Sequence, residues 1–301
     1  MTDPRLLAVA DLHVRYPDNR AIAEDLRPAH DGDWLIVAGD VAEQVDDVVR
    51  TLGLLRERFA RVIWVPGNHE LWTRTKDPVS LRGVARYDRL VAQCREIGVD
   101  TPEDAFPVWT GAGGPVVVAP LFGLFDYTFL PDGTSTPAEG LAAAYAAGVV
   151  CTDEHLLFPD PYPDRAAWCA ARVAESRRRL DALDPALPTV LVNHWPLTRF
   201  PTRVLRHPEF ALWCGTTATA DWHVRYRATA VVYGHLHIPR VTVEDGVRFV
   251  EASLGYPREW RARAERGRSA PLPRQILPAP EPEPLRDPGT TTRRPPTAPV
   301  R

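Results

Sequence analysis

The chain has 301 residues, 45% of them hydrophobic and 25% charged, with a formal net charge of -3. These values fit a globular protein of one or two domains and supply no basic field for neutralising nucleic-acid phosphates, so no nucleic acid is expected as a partner. The longest apolar runs, such as Val116 to Leu121, fall far short of a membrane span and no secretory leader is visible, so no membrane is expected either.

Leu6–Ala10 reads as a strand running into Asp11-Leu12-His13, and Trp34–Ala38 as a second running into Gly39-Asp40. Asp46–Phe59 follows with helical spacing at Val48, Val49, Leu52, Leu55 and Phe59. A third strand, Val62–Val65, leads into Pro66-Gly67-Asn68-His69, and Leu81–Ile97 is again helical. The stretch from about 73 to 188 interrupts this rhythm. It holds that second helix, a Gly- and Pro-punctuated strand region around Pro107–Tyr127, a loop at Leu130–Glu139 and a helix at Arg165–Leu183. It reads as a specificity insertion, because loops at strand ends face the substrate. Strands resume with Thr189–Val192, ending at Asn193-His194, and with Ala230–Tyr233, ending at Gly234-His235-Leu236-His237. Val241–Val243 and Val247–Val250 flank Glu244-Asp245-Gly246 as a terminal hairpin. From Gly267 to Arg301 the chain is rich in Pro and Arg without apolar periodicity, which predicts a disordered tail on a single domain of residues 1–266. Strands alternating with helices predict an α/β class.

Cys94, Cys151, Cys169 and Cys214 are widely spaced and form no Cys-x-x-Cys pair, so a ribbon-type zinc site is excluded and a reduced, cytoplasmic chain is expected.

The chemistry lies in where the polar residues fall. Each of the five strands ends on a potential metal ligand, and loops at the carboxyl ends of neighbouring strands converge on one edge of an α/β sheet. Carboxylates, imidazoles and one amide collect there. Such a mixed nitrogen and oxygen set suits Mn, Fe or Zn better than Mg or a thiolate metal. Seven candidates, Asp11, His13, Asp40, Asn68, His194, His235 and His237, are too many for one metal, whereas two metals sharing a carboxylate would use them all.

The motifs Asp11-x-His13, Gly39-Asp40-x-x-Glu43, Gly67-Asn68-His69-Glu70, Asn193-His194 and Gly234-His235-x-His237 resemble those of the calcineurin-like metallophosphoesterase superfamily. The resemblance implies a four-layer α/β/β/α sandwich, two central mixed sheets flanked by helices, with a dinuclear site. It implies that Asp11, His13 and His237 hold one metal, Asn68, His194 and His235 the other, and Asp40 bridges them. The pair would be divalent or trivalent transition metals, Mn2+ with Fe2+ or Fe3+ first, and Zn2+ the other candidate. Two such cations clamp a phosphoryl group and generate hydroxide from water near neutral pH. In the family pattern His69 is not a ligand, which leaves it as general acid for the leaving group. Glu43 stands at the family's second acidic position and would orient His69, although Asp is the common residue there. Gln44 and Val45 follow Glu43 in place of the Arg-Gly of Ser/Thr protein phosphatases, which disfavours a protein monophosphatase.

Longer stretches, Asp33–Glu43, Val65–Trp72, Leu212–Thr217, Ala220–His223 and Ser253–Trp260, are similar to the actinobacterial 4′-phosphopantetheinyl hydrolases. That resemblance implies a phosphodiesterase releasing 4′-phosphopantetheine from the serine of an acyl or peptidyl carrier protein. The alternative is a phosphodiesterase or phosphatase acting on a small molecule such as a cyclic nucleotide. Trp72, Trp195 and Trp222 could line a pantetheine groove, although packing is the commoner role of aromatics near a sheet edge, and the arginines from Arg258 to Arg268 could dock an acidic carrier protein or form a solubilising basic segment leading into the tail. His223 could face the substrate or be an ordinary core or surface histidine.

Overall fold

A computed structural model describes residues 3–280. The first half of the chain gives β1 (Leu6–Val9), α1 (Pro17–Asp25), β2 (Trp34–Val37), α2 (Val45–Arg56), β3 (Arg61–Trp64), α3 (Asn68–Leu71) and α4 (Gly83–Glu96). Next come β4 (Val108–Trp109), β5 (Val116–Pro120), α5 (Pro137–Ala146), α6 (Asp153–Leu156) and α7 (Arg165–Asp181). The last part gives β6 (Thr189–Val192), α8 (Trp222–Arg225), β7 (Ala228–Tyr233), β8 (Val241–Glu244), β9 (Val247–Glu251), α9 (Pro257–Glu265) and β10 (Arg274–Leu277).

Side chains alternate across a strand, so an apolar run buries both its faces only inside a stack of layers. In β1, Leu6 and Ala8 turn into one core while Leu7 and Val9 turn into another. Ile36, Ile63, Val118, Val190, Val232, Val250 and Ile276 share the core of Leu6 and Ala8, which lies between two sheets. Leu35, Val37, Val62 and Leu191 belong to the other core, with helix residues such as Val48, Leu52 and Leu90. The first sheet has the order β10-β1-β2-β3 and the second β4-β5-β6-β7-β9-β8. Strands β1, β2 and β3 are parallel, as are β5, β6, β7 and β9, while β10, β4 and β8 are antiparallel edges. The arrangement is the expected α/β/β/α sandwich.

Four expectations are corrected. The stretch 73–188 is not wholly an insertion, because β5 pairs in register with β6 (Val117 with Thr189) inside the second sheet. Its loop at Leu130–Glu139 gives way to α5, started by Pro137 and by Thr136, whose hydroxyl accepts from the Glu139 N–H. The hairpin turn forms as predicted, with Asp245 and Gly246 both at positive φ, but it is not terminal. The chain returns through α9 to β10, whose Leu277 lies opposite Leu6. Ile276 is fully buried between the sheets. Two apolar residues among prolines are too short a run to show periodicity, yet they close the open edge of β1. The disordered tail expected from Gly267 is therefore wrong for Arg274–Leu277, and its remainder from residue 281 lies outside the described residues. Among the described residues, no helix is long and apolar enough to cross a membrane.

Shortening Ile276 to alanine should cost about 2–5 kcal/mol of unfolding free energy. Urea unfolding of the two proteins gives the difference, and an unchanged midpoint would contradict the packing described for β10.

Candidate metal centre

The two sheets bring all seven candidate ligands to one place. Asp11 and His13 follow β1, Asp40 follows β2, and Asn68 opens α3 after β3. His194 follows β6, and His235 and His237 follow β7. Five of the seven, Asp11, His13, Asp40, His235 and His237, have left-handed backbone with φ of 53°, 43°, 56°, 71° and 56°. Such strain costs about 1–3 kcal/mol per residue and persists where the surroundings over-determine it. Gly39 shows one reason for the tight approach. It sits at φ 83°, and a Cβ there would come within 2.6 Å of Gly67 N and of His194 Nδ1.

The candidate ligands fall into two overlapping groups. In the first, Asp11 Oδ1 lies 3.0 Å from His237 Nε2, which is 3.1 Å from His13 Nε2. Asp40 Oδ2 lies 3.9 Å from His13 Nε2, and one donor atom from each of these four residues falls within 4.8 Å of the others. In the second group, Asn68 Oδ1 lies 3.1 Å from His194 Nε2 and 3.2 Å from His235 Nδ1. Asp40 Oδ1 lies 3.6 Å from His194 Nε2. The two oxygens of Asp40 therefore face different groups.

The donor set fits a pair of cations. His194 Nδ1 donates to the Ala38 carbonyl at 2.8 Å, and burial holds its pKa down to about 4, so Nε2 carries a lone pair at neutral pH. Asn68 Nδ2 donates to Asp153 at 2.9 Å, which leaves Oδ1 as the atom facing the histidines. Two acceptors thus point at one another across 3.1 Å, an arrangement that repels without a positive charge between them. In the first group, burial opposes charge on His237, but Asp11 and Glu259 raise its pKa to about 10. A positive charge is favoured there too.

His69 lies beside this cluster. Its Nδ1 is 3.4 Å from Glu43 Oε1, its Nε2 is 3.7 Å from Asp40 Oδ2 and 3.3 Å from the Tyr256 hydroxyl, and its ring packs on Trp72 at 3.7 Å between centroids. Burial lowers the His69 pKa against the opposing pull of Glu43, while burial raises Glu43 but His69, Arg74 and Arg15 together hold it below the usual carboxylate range. A cavity of about 760 Å3 opens over Asp40, Asn68 and His235, with Val150, Phe210 and Arg258 among its other walls.

A family model for the calcineurin-like phosphoesterases matches residues 4–239. The chain belongs to the calcineurin-like phosphoesterase family. It is 58% identical to the [acyl-carrier-protein] phosphodiesterase PptH of Mycobacterium tuberculosis over 93% of this chain and 85% of that protein. The crystal structure of phosphopantetheinyl hydrolase (PptH) from the same organism superposes with a TM-score of 0.90 at 58% identity, covering 94% of this chain and 99% of the other.

Residues to which the sequence reading gave no role support the site of this phosphoesterase. Glu259 Oε2 lies 2.8 Å from His237 Nδ1 and turns Nε2 towards Asp11. Ser253 Oγ contacts both Asp11 Oδ2 at 2.6 Å and Glu251 Oε1 at 2.7 Å, and burial pushes Glu251 up to about 7. Glu70 accepts the backbone N–H of Asp40, Val41 and Gly67 at 2.7–3.0 Å and so ties the loops after β2 and β3 together. Buried Arg86 caps this from behind, donating to the carbonyls of Glu43 and Glu70. Of the three tryptophans, Trp72 lines the cavity, whereas Trp195 and Trp222 are buried in the core. His223 is buried against Asp245, away from the ligands. Of the arginines, Arg258 reaches the cavity, Arg261 pairs with Asp18, and Arg263 turns inward to the carbonyls of His237 and Leu254.

Proposed function

We propose that this chain hydrolyses the phosphodiester joining 4′-phosphopantetheine to a serine of a holo acyl or peptidyl carrier protein. The observation that carries this reading is the 58% identity to the acyl-carrier-protein phosphodiesterase, which extends over 93% of the chain and so well beyond the ligand motifs. Asp11, His13 and His237 would hold one cation and Asn68, His194 and His235 a second, with Asp40 facing both groups. When bound, the cations polarise the phosphoryl group and lower the pKa of water for attack. Mn2+ with Fe2+ or Fe3+ suits the mixed donors, and Zn2+ is the other candidate. Four buried free thiols accord with a reducing, cytoplasmic setting.

The chain's own residues manage the proton and the substrate. Water adds to phosphorus, the bond from phosphorus to the serine oxygen breaks, that oxygen takes a proton from Nε2 of His69 in its imidazolium form, and the proton released by the water restores the imidazolium. Glu43 accepts the other ring N–H and, with Trp72 beneath the ring, fixes its direction. The cavity is large enough for an extended arm beyond the phosphate, and Val150 and Phe210 give that arm apolar walls.

Incubating a holo carrier protein with the metal-loaded enzyme should release 4′-phosphopantetheine and leave an unmodified serine, read by intact-protein mass. Phosphoserine would mean cleavage on the other side of phosphorus. No mass change on any carrier, with rapid cleavage of small cyclic phosphodiesters, would replace the carrier reading with the small-molecule one.

Replacing His69 by alanine should preserve metal content and lower turnover about 10²–10⁴-fold on alkyl phosphodiesters. Aryl esters, whose leaving groups need little protonation, should lose much less. Equal losses on both would remove His69 from the acid role.

A further inference from the structure

The amide of Asn68 can serve the second cation only with its oxygen forward. An amide is nearly symmetric in shape, and turning it over would present an NH2 group, which cannot ligate and would repel a cation. Something must choose between the two orientations. In the structure that choice rests on a carboxylate from outside the ligand motifs.

Asp153 is fully buried on α6. Its Oδ1 accepts from Asn68 Nδ2 at 2.9 Å and from Trp72 Nε1 at 2.7 Å. The indole N–H pins the carboxylate, and the pinned carboxylate takes the amide NH2, so Asn68 Oδ1 is left facing His194 and His235. The helix is itself anchored from behind. Arg165 on α7 donates to the carbonyls of Asp153 at 2.8 Å, Glu154 at 2.7 Å and Leu157 at 2.8 Å. Its guanidinium also pairs with Glu154, which holds the hydroxyl of Tyr127 and the indole N–H of Trp213. A backbone hydrogen bond from Thr73 to Leu156 joins α6 to the chain just beyond α3.

We infer that Asp153 is a positioning residue that sets the Asn68 amide for the second cation and joins the cavity wall at Val149–Thr152 to that site as one unit. The inference rests on the assignment of Asn68 to a cation. Partners outside the ligand set commonly change metal affinity by about 10–100-fold when removed. Here the effect should fall on one cation of the two, because no hydrogen bond runs from Asp153 to Asp11, His13 or His237 among the described residues.

The test is titration of metal-free protein with Mn2+, read as stoichiometry and affinity without any substrate. Wild type should bind about two equivalents. Asp153→Ala should keep one binding event unchanged and weaken the other about 10–100-fold. Asp153→Asn, which still offers an oxygen to both donors, should bind as wild type does. Asp153→Leu refills the buried volume without an acceptor and carries the alanine expectation if that variant does not fold. Unchanged binding in Asp153→Ala or Asp153→Leu overturns the inference, as does equal weakening of both events or an asparagine variant as weak as the alanine one. Wild type that binds a single equivalent overturns the two-cation assignment on which it rests. The titration is independent of the carrier-protein reading, which can fail while this result stands.

Discussion

The Asp11 carboxylate has no exposure to solvent, and the two sheets are tied together through it. It comes from the first sheet, yet it accepts the backbone N–H of His235 and the hydroxyl of Ser253, both from the second. The carbonyls of Ala10 and Asp11 accept the N–H groups of Leu254 and Gly255, and His194 closes the other side by donating to the Ala38 carbonyl. A buried charge is tolerable only when it is paired and hydrogen-bonded. Placing this one at the seam means that the two halves of the fold and the ligand set are satisfied together. A change that slid one sheet against the other would disrupt both.

Strain and support are matched across the same seam. Five candidate ligand residues with left-handed backbone would relax if their loops were loose. Glu70 prevents this by receiving three backbone N–H groups from the loops after β2 and β3, while Arg86 fixes the carbonyls of Glu43 and Glu70. On the other sheet, Glu259 and Ser253 hold His237 and Asp11. A site built to neutralise developing charge works best when its donors need not reorganise during reaction. The buried polar framework supplies that rigidity, and the open cavity above it leaves room for a long substrate.

What could be read from the sequence was local or periodic. Apolar runs of four or five residues located the central strands, and the polar residues that ended them located the candidate ligands. Helices α2, α4 and α7 were legible because Val48, Leu52 and Leu55, for example, recur at helical spacing. The roles of Asp153 and Glu259 were not legible, because they depend on contacts 85 and 22 residues away. Strand β10 was hidden for the reason that makes it stable. Its few apolar side chains count only once β1 offers them an edge. Trp195 and Trp222 took the packing role that aromatics near a sheet edge commonly have, buried in the core rather than lining the cavity.

The central claim is that one carboxylate, Asp40, serves two cations. The most direct measurement is the metal content of Asp40→Ala, loaded with Mn2+ and dialysed alongside wild type, by elemental analysis. The account predicts about two equivalents in wild type and loss of both in the variant, because each group of ligands is left one short and the two cations lose their shared counter-charge. A variant that retains one tightly held equivalent, or a wild type that holds only one, would contradict it.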